Sequence, residues 1–172
     1  MDDNASFVCS CCGKEHRMCD LSFAADYPDH YANLSRDQRE IRAIIGSDQC
    51  VIDGSDFYIR GCLELPVKGT EGVFLWGVWA RVHERDYDEI AANWELAGRE
   101  DAIGPYKGRL ANSLSIYPET NNLKLEIQIE AVGSRPTFWL DEPEHPLALE
   151  QQEGISMQKA EEYACLLLRM ER

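Results

Sequence analysis

Alternation of apolar and polar positions is clearest from Asp56 to Leu65. Phe57, Ile59, Leu63 and Leu65 share one face, and Tyr58, Arg60, Cys62 and Glu64 share the other. Strand side chains point to alternate sides, so a period of two predicts a strand. From Gly72 to Val82 both faces are apolar, with Phe74, Trp76, Val78 and Val82 against Val73, Leu75 and Trp79. Such a segment belongs in the middle of a sheet, covered on both sides. Leu123 to Ala131 alternates again, with Leu123, Leu125, Ile127 and Ile129 inward and Lys124, Glu126, Gln128 and Glu130 in water. Shorter strands are predicted at Phe7-Val8, Gln49–Ile52, Tyr106–Ser113 and Thr137–Leu140, and Asp53-Gly54 reads as a hairpin turn.

Helical spacing appears elsewhere. Ser35-Arg36-Asp37-Gln38 has the form of a capping box and predicts a helix from about Arg36 to Ile45, stopped by Gly46. Tyr87, Ile90, Ala91, Trp94 and Ala97 line one face of a second helix, from about Arg85 to Ala97 with Gly98 as its stop. Pro146 suits the first position of a helix running to about Glu153, and Ser156 caps a last one that buries Met157, Ala160, Ala164 and Leu167. Connections are mostly of hairpin length, which predicts an α+β fold: a mainly antiparallel sheet with flanking helices. No repeat, low-complexity tract or long linker divides the chain. Residues 1–172 read as a single domain, with a metal-binding arm over 1–20 and the α+β body over 35–172.

Charge narrows the function. Thirty-one acidic residues against 17 Lys and Arg give a formal charge of −14, spread over both halves. That field repels nucleic acid and anionic membranes and attracts a basic protein partner. The acidic start has no basic, apolar leader pattern, and the apolar run Val73–Ala80 is too short to span a bilayer. A cytoplasmic, reducing location is therefore expected. Seven cysteines in that setting indicate metal binding or buried thiols instead of a disulfide framework.

The candidate chemistry is sulfur. Cys9 and Cys12 have the spacing at which one tight turn aims two thiolates at one cation, and Gly13 follows where such a turn needs a left-handed residue. His16 lies one helical turn beyond, and Cys50 could reach the group from the start of the sheet. Cys9, Cys12, His16 and Cys50 are the expected ligands of a closed, structural zinc site that pins a zinc-knuckle-like arm onto the sheet. Cys19 and Cys62 are rivals for a ligand place. A redox role for Cys9 and Cys12 is weaker, because Gly13 and charged residues follow the pair and no βαβ unit surrounds it.

An enzyme would need Cys50 as a nucleophile with His145 as base, or Cys62 tuned by Arg60 and Glu64. Nothing in the linear sequence joins these groups, and a cysteine in a strand usually serves as a small buried hydrophobe. His145-Pro146 after Asp141-Glu142-Pro143-Glu144 reads as a helix cap beside an acidic loop. Trp76, Trp79 and Trp94 read as core. No phosphate-binding glycine loop, Ser-His-Asp pattern or HExxH motif is present.

The run Cys9–His16, then Ser47–Ile52, Ile59–Pro66, Trp76–Trp79, Gly104-Pro105-Tyr106 and His145–Ala148, resembles in residues and order a bacterial domain-of-unknown-function family, number 2199. The likeness spans nearly the whole chain. It implies a full-length bacterial cytoplasmic domain and carries no activity or catalytic residue. The expected function is a zinc-stabilised acidic protein-interaction module without catalysis. In its most concrete version this is an immunity or antitoxin-like inhibitor of a basic toxin. A cysteine- or metal-dependent enzyme is the alternative.

Overall fold

The computed structural model describes residues 6–8, 13–17 and 22–170. Strands β1 (Ser6–Val8) and β2 (Glu15–Arg17) form an antiparallel pair in which Phe7 faces His16. Gly13 between them has φ +68°, the left-handed conformation the sequence called for.

The body is an eight-stranded sheet. Its strands are β3 (Ser22–Ala24), β4 (Ala43–Ile45), β5 (Gln49–Ile52), β6 (Asp56–Pro66), β7 (Val73–Val82), β8 (Tyr106–Leu110), β9 (Lys124–Gln128) and β10 (Thr137–Leu140). The order is β3-β7-β8-β9-β10-β6-β5-β4, and β6 also pairs with β7. Strands β6 to β10 thus close on themselves as a five-stranded barrel. The sequence predicts a mainly antiparallel sheet with flanking helices and does not foresee its closure. Most pairings are antiparallel, but β10 closes the barrel by a parallel bridge, Thr137 to Cys62, and β3 runs parallel to β7.

Closure depends on a missing side chain. A Cβ on Gly61 would sit 2.3 Å from a ring carbon of Phe138, so the Phe138 ring fills the space that any other residue at 61 would claim. Inward positions of all five strands pack together, among them Ile59, Leu63, Val78, Ala80, Leu110, Leu125, Ile127 and Phe138. A barrel this small has no lumen; its side chains are its core. Helix α3 (Glu84–Ala92) adds Ile90 to this core. Helix α5 (Pro146–Glu153) adds Leu147, and helix α6 (Met157–Met170) adds Ala160 and Ala164. The buried Gln151 fastens α5 to the last strand, donating to the Phe138 carbonyl at 2.7 Å and accepting from the Leu140 amide at 2.8 Å. A second cluster lies outside the barrel, where Leu34, Cys50, Ile52, Tyr58, Trp79 and Ala111 pack with Tyr31 of the short α1 (Asp29–Ala32).

Two predicted helices end early. Helix α2 (Arg36–Arg42) opens with the expected capping box: Gln38 N donates to Ser35 Oγ at 3.3 Å, and Ser35 N donates to Gln38 Oε1 at 2.9 Å. It stops at Arg42 because Ala43–Ile45 pair with β5, giving the backbone ladder bonds in place of helical ones. Helix α3 ends at Ala92, not Ala97, and Gly98 (φ +79°) instead precedes a short α4 (Arg99–Ala102). The Trp94 carbonyl that a longer helix would use accepts from the Arg99 guanidinium. Strand β8 likewise stops at Leu110, short of Ser113.

Candidate functional site

Of the four expected zinc ligands, Cys9 and Cys12 lie outside the described residues, as does Cys19. His16 is placed by its backbone in β2. Cys50 is fully buried on β5 among Leu34, Ile52, Tyr58, Trp79 and Ala111, and burial pushes its thiol up to about 11. Among the described residues no three His, Cys, Asp or Glu side chains gather as a metal site. Cys50 and Cys62 are free thiols, whereas Cys165 of α6 is disulfide-bonded. The sequence predicts metal ligands and buried thiols instead of disulfides, and the bonded Cys165 departs from that.

Cys62 lies on the outer face of β6, half-buried in a cleft of about 900 Å³ between β6, β10 and the 130–135 loop. Asp48, Glu64, Glu95, Glu130 and Trp139 line the same cleft. Asp48 accepts from Ser47 Oγ at 2.6 Å and from Arg135 Nε at 2.6 Å. Burial raises its carboxyl, but these two hydrogen bonds together with the charges of Arg135 and Arg60 outweigh that and hold it below the ordinary carboxylate range. Glu130 accepts from Thr137 Oγ1 at 2.9 Å. Among the described residues no cation lies within ion-pair distance of Glu64, Glu95 or Glu130.

The wall of this cleft is set by Arg99, a residue the sequence reading passed over. It is 2% exposed and donates to the carbonyls of Glu130 (2.8 Å), Ser134 (2.8 Å), Ala131 (3.3 Å) and Trp94. Its guanidinium stacks 4.7 Å from the centre of the Trp94 ring, so one face of Trp94 is already occupied. Only a buried arginine at the start of a short helix would have given it away, and burial is not visible in sequence. Trp76 and Trp79 are core, as expected.

The cysteine chemistry an enzyme would need is weak here. Burial raises the Cys62 thiol, opposed by Arg135 and Arg60 and reinforced by Glu64 and Asp48. None of these groups is an imidazole that could take its proton. His145 caps α5, its Nδ1 accepting from the Leu147 amide at 3.2 Å. As free thiols, both therefore stay protonated near neutrality, where a thiol is a poor nucleophile.

Among the described residues no helix is long and apolar enough to cross a membrane. No curated protein and no solved structure matches the chain. The model of a family described as an uncharacterized protein conserved in bacteria, DUF2199, matches residues 8–155, and the chain belongs to that family.

Proposed function

We propose that the protein is a non-catalytic binding module of the bacterial cytoplasm that docks a basic protein partner at the Cys62–Trp139 cleft. The observation that carries this reading is Trp139. It stands 49% exposed beside Val132, 42% exposed, in a cleft where Glu64, Glu95 and Glu130 lack a neutralising cation. An exposed aromatic anchor flanked by unpaired charge of one sign suits a partner that brings apolar surface and Lys or Arg together. The overall charge of −14 would steer such a partner in quickly. Inhibition of a basic toxin, as by an immunity protein or antitoxin, is the most concrete version.

In the same reading a structural zinc ion on Cys9, Cys12 and His16, with Cys50 as the fourth ligand, steadies the N-terminal arm. The left-handed Gly13 supports the turn such a site needs. Elemental analysis of protein purified without added metal should then find about one zinc per chain; a fully folded, metal-free sample would end the zinc proposal. The docking reading is tested by capture from the native cell. The wild type should retain a basic protein that Trp139→Ala and a Glu64→Gln/Glu95→Gln double variant release, and equal retention by all three would overturn it. Thiol labelling against pH tests the enzyme alternative: Cys50 and Cys62 should label slowly until the pH is well above neutral.

A further inference from the structure

Three cations stand in one line across the barrel, on a side the docking reading does not use. Arg81 of β7 is the register partner of Arg109 of β8, and Arg109 is the partner of Lys124 of β9. Each alternates with inward residues: Arg81 with Ala80 and Val82, Arg109 with Leu110, and Lys124 with Leu125. All three side chains therefore point outward, and all three are exposed. Adjacent strands are about 4.8 Å apart, so the row spans about 10 Å.

Like charges directly opposite each other on neighbouring strands destabilise a sheet. In a chain with almost twice as many acids as bases, such a row has no structural reason to form. Its members are also poorly neutralised. Arg81 pairs with Asp56, but among the described residues the Arg109 side chain makes one hydrogen bond, to the Asn122 carbonyl at 3.1 Å. Neither Arg109 nor Lys124 has an ion-pair partner among the described residues.

The row lines a cleft of about 820 Å³. Lys107, held by Glu126 at 2.9 Å, adds to its cationic wall, His83 lines it as well, and Glu84 and Asp141 are its carboxylates. Its floor is apolar: Phe57, Val82 and Leu125, near the ends of β6, β7 and β9. The two arginines also border an adjoining hollow of about 240 Å³ beside His30 and Tyr58.

We propose that this cleft binds a small organic anion. Its phosphate or carboxylate head is taken by Arg109 and Lys124, with Arg81 alongside, and its apolar body rests on Phe57, Val82 and Leu125. Charge-assisted bonds from Arg to a carboxylate or phosphate are among the strongest polar contacts available. The size of the ligand follows from screening. At physiological salt the Debye length is about 8 Å, so a small anion feels chiefly the local cationic row. A polyanion such as nucleic acid extends beyond it and meets the repulsion of a chain at −14.

The test uses the full chain and octyl phosphate and octanoate as probes, read by displacement of the fluorescent sulfonate 8-anilinonaphthalene-1-sulfonate. One or both probes should displace the dye from the wild type, and which competes better separates a phosphate from a carboxylate head. An Arg109→Gln/Lys124→Gln variant should bind the better probe about tenfold or more weakly, with a melting temperature no lower than that of the wild type. Octanol should fail to displace the dye. As a second readout, the amide signals of Gly108 and Arg109 should shift on addition of the better probe. Failure of both probes, equal binding by the variant, displacement by octanol, or tight binding of single-stranded oligonucleotide through the same two residues would each overturn the proposal. None of these outcomes bears on capture at Trp139, so the two proposals fail separately.

Discussion

The Cys62 cleft and the Arg81–Arg109–Lys124 cleft have similar volumes, lie against the same barrel and carry opposite sign. They differ in how their charges are satisfied. In the Cys62 cleft both arginines are spoken for, Arg99 by four carbonyls and Arg135 by Asp48, and unpaired carboxylates surround an exposed tryptophan. In the other the nearby carboxylates Asp56 and Glu126 hold Arg81 and Lys107, and Arg109 and Lys124 are cations without an ion-pair partner among the described residues, facing Glu84 and Asp141 across an apolar floor. Each cleft leaves unpaired the charge that its proposed ligand would neutralise. An acidic chain gains nothing structurally from unpaired cations, so the cationic row is the more pointed sign of a ligand.

The comparison breaks if the barrel does. Phe138 is fully buried, on the strand that joins β9 to β6 and so stands between the two clefts. Phe138→Ala should cost about 3–5 kcal/mol in urea unfolding, and both binding activities should fall together. If one survives intact, the clefts do not share the closed barrel as their scaffold.

A selective change sharpens the contrast. Arg99→Met keeps the apolar stem and removes the donors to three carbonyls of the loop that walls the Cys62 cleft and to the Trp94 carbonyl. We expect a loss of about 3 kcal/mol in stability and release of the basic partner. Octyl phosphate binding in the distant cationic cleft should stay within about twofold of the wild type. Equal damage at both sites would mean that the loop and the cationic row are coupled through the barrel.

What was legible in the sequence follows how local the cause is. The faces of β6 and β7 were readable because alternation is a property of consecutive residues. The Asp53-Gly54 turn, with both residues at positive φ, and α5 between Pro146 and Gly154 were readable for the same reason. Barrel closure was not, because it rests on Gly61 leaving room for a phenylalanine far along the chain. The sequence predicts the β4 residues as the end of a helix, and pairing with β5 overrides that weak local preference. The cationic row was invisible for a related reason: Arg81, Arg109 and Lys124 become neighbours only once three strands are in register. The Cys9–Cys12 spacing is local and legible as a pattern, but its ligand set depends on which distant sulfur joins it.

Alkali probes the ground beside the cationic row, where Cys50 and Tyr58 continue its line onto β5 and β6. Burial raises the Cys50 thiol from 9.0 to about 11 and, aided by Asp56, the Tyr58 phenol from 10.0 to about 12. With Cys50 as a free thiol, both groups are neutral in the folded state, and the unfolded chain ionises first. Their stabilisation is full below pH 9, declines as pH rises, and is exhausted once the folded-state values are passed. Two units correspond to about 2–3 kcal/mol for Cys50. Denaturant melts between pH 9 and 11 with a zinc chelator present throughout should show this decline, and Cys50→Ala should flatten it. An unchanged slope in that variant would mean that another group carries the alkaline sensitivity.

The smallest expected effect lies at the opposite end of the pH scale and in the opposite cleft. Asp48 is held low despite burial by Ser47 and Arg135, so it stabilises the fold above the ordinary carboxylate value of 3.8 and loses that contribution as pH falls through its lower folded value. Its partner Arg135 is 40% exposed at the side chain, which limits the pair to about 0.5–1 kcal/mol. Asp48→Asn should therefore cost no more than that near neutrality and remove part of the acid sensitivity. It also frees Arg135, which adds an unpaired cation to the Cys62 cleft. If the cleft attracts its partner by unpaired carboxylates, this variant should weaken capture more than its small stability loss can explain, and it should slow association more than it speeds release. A partner that binds through Trp139 and apolar contact alone would be indifferent to the change, and the electrostatic half of the comparison would then hold only for the cationic row.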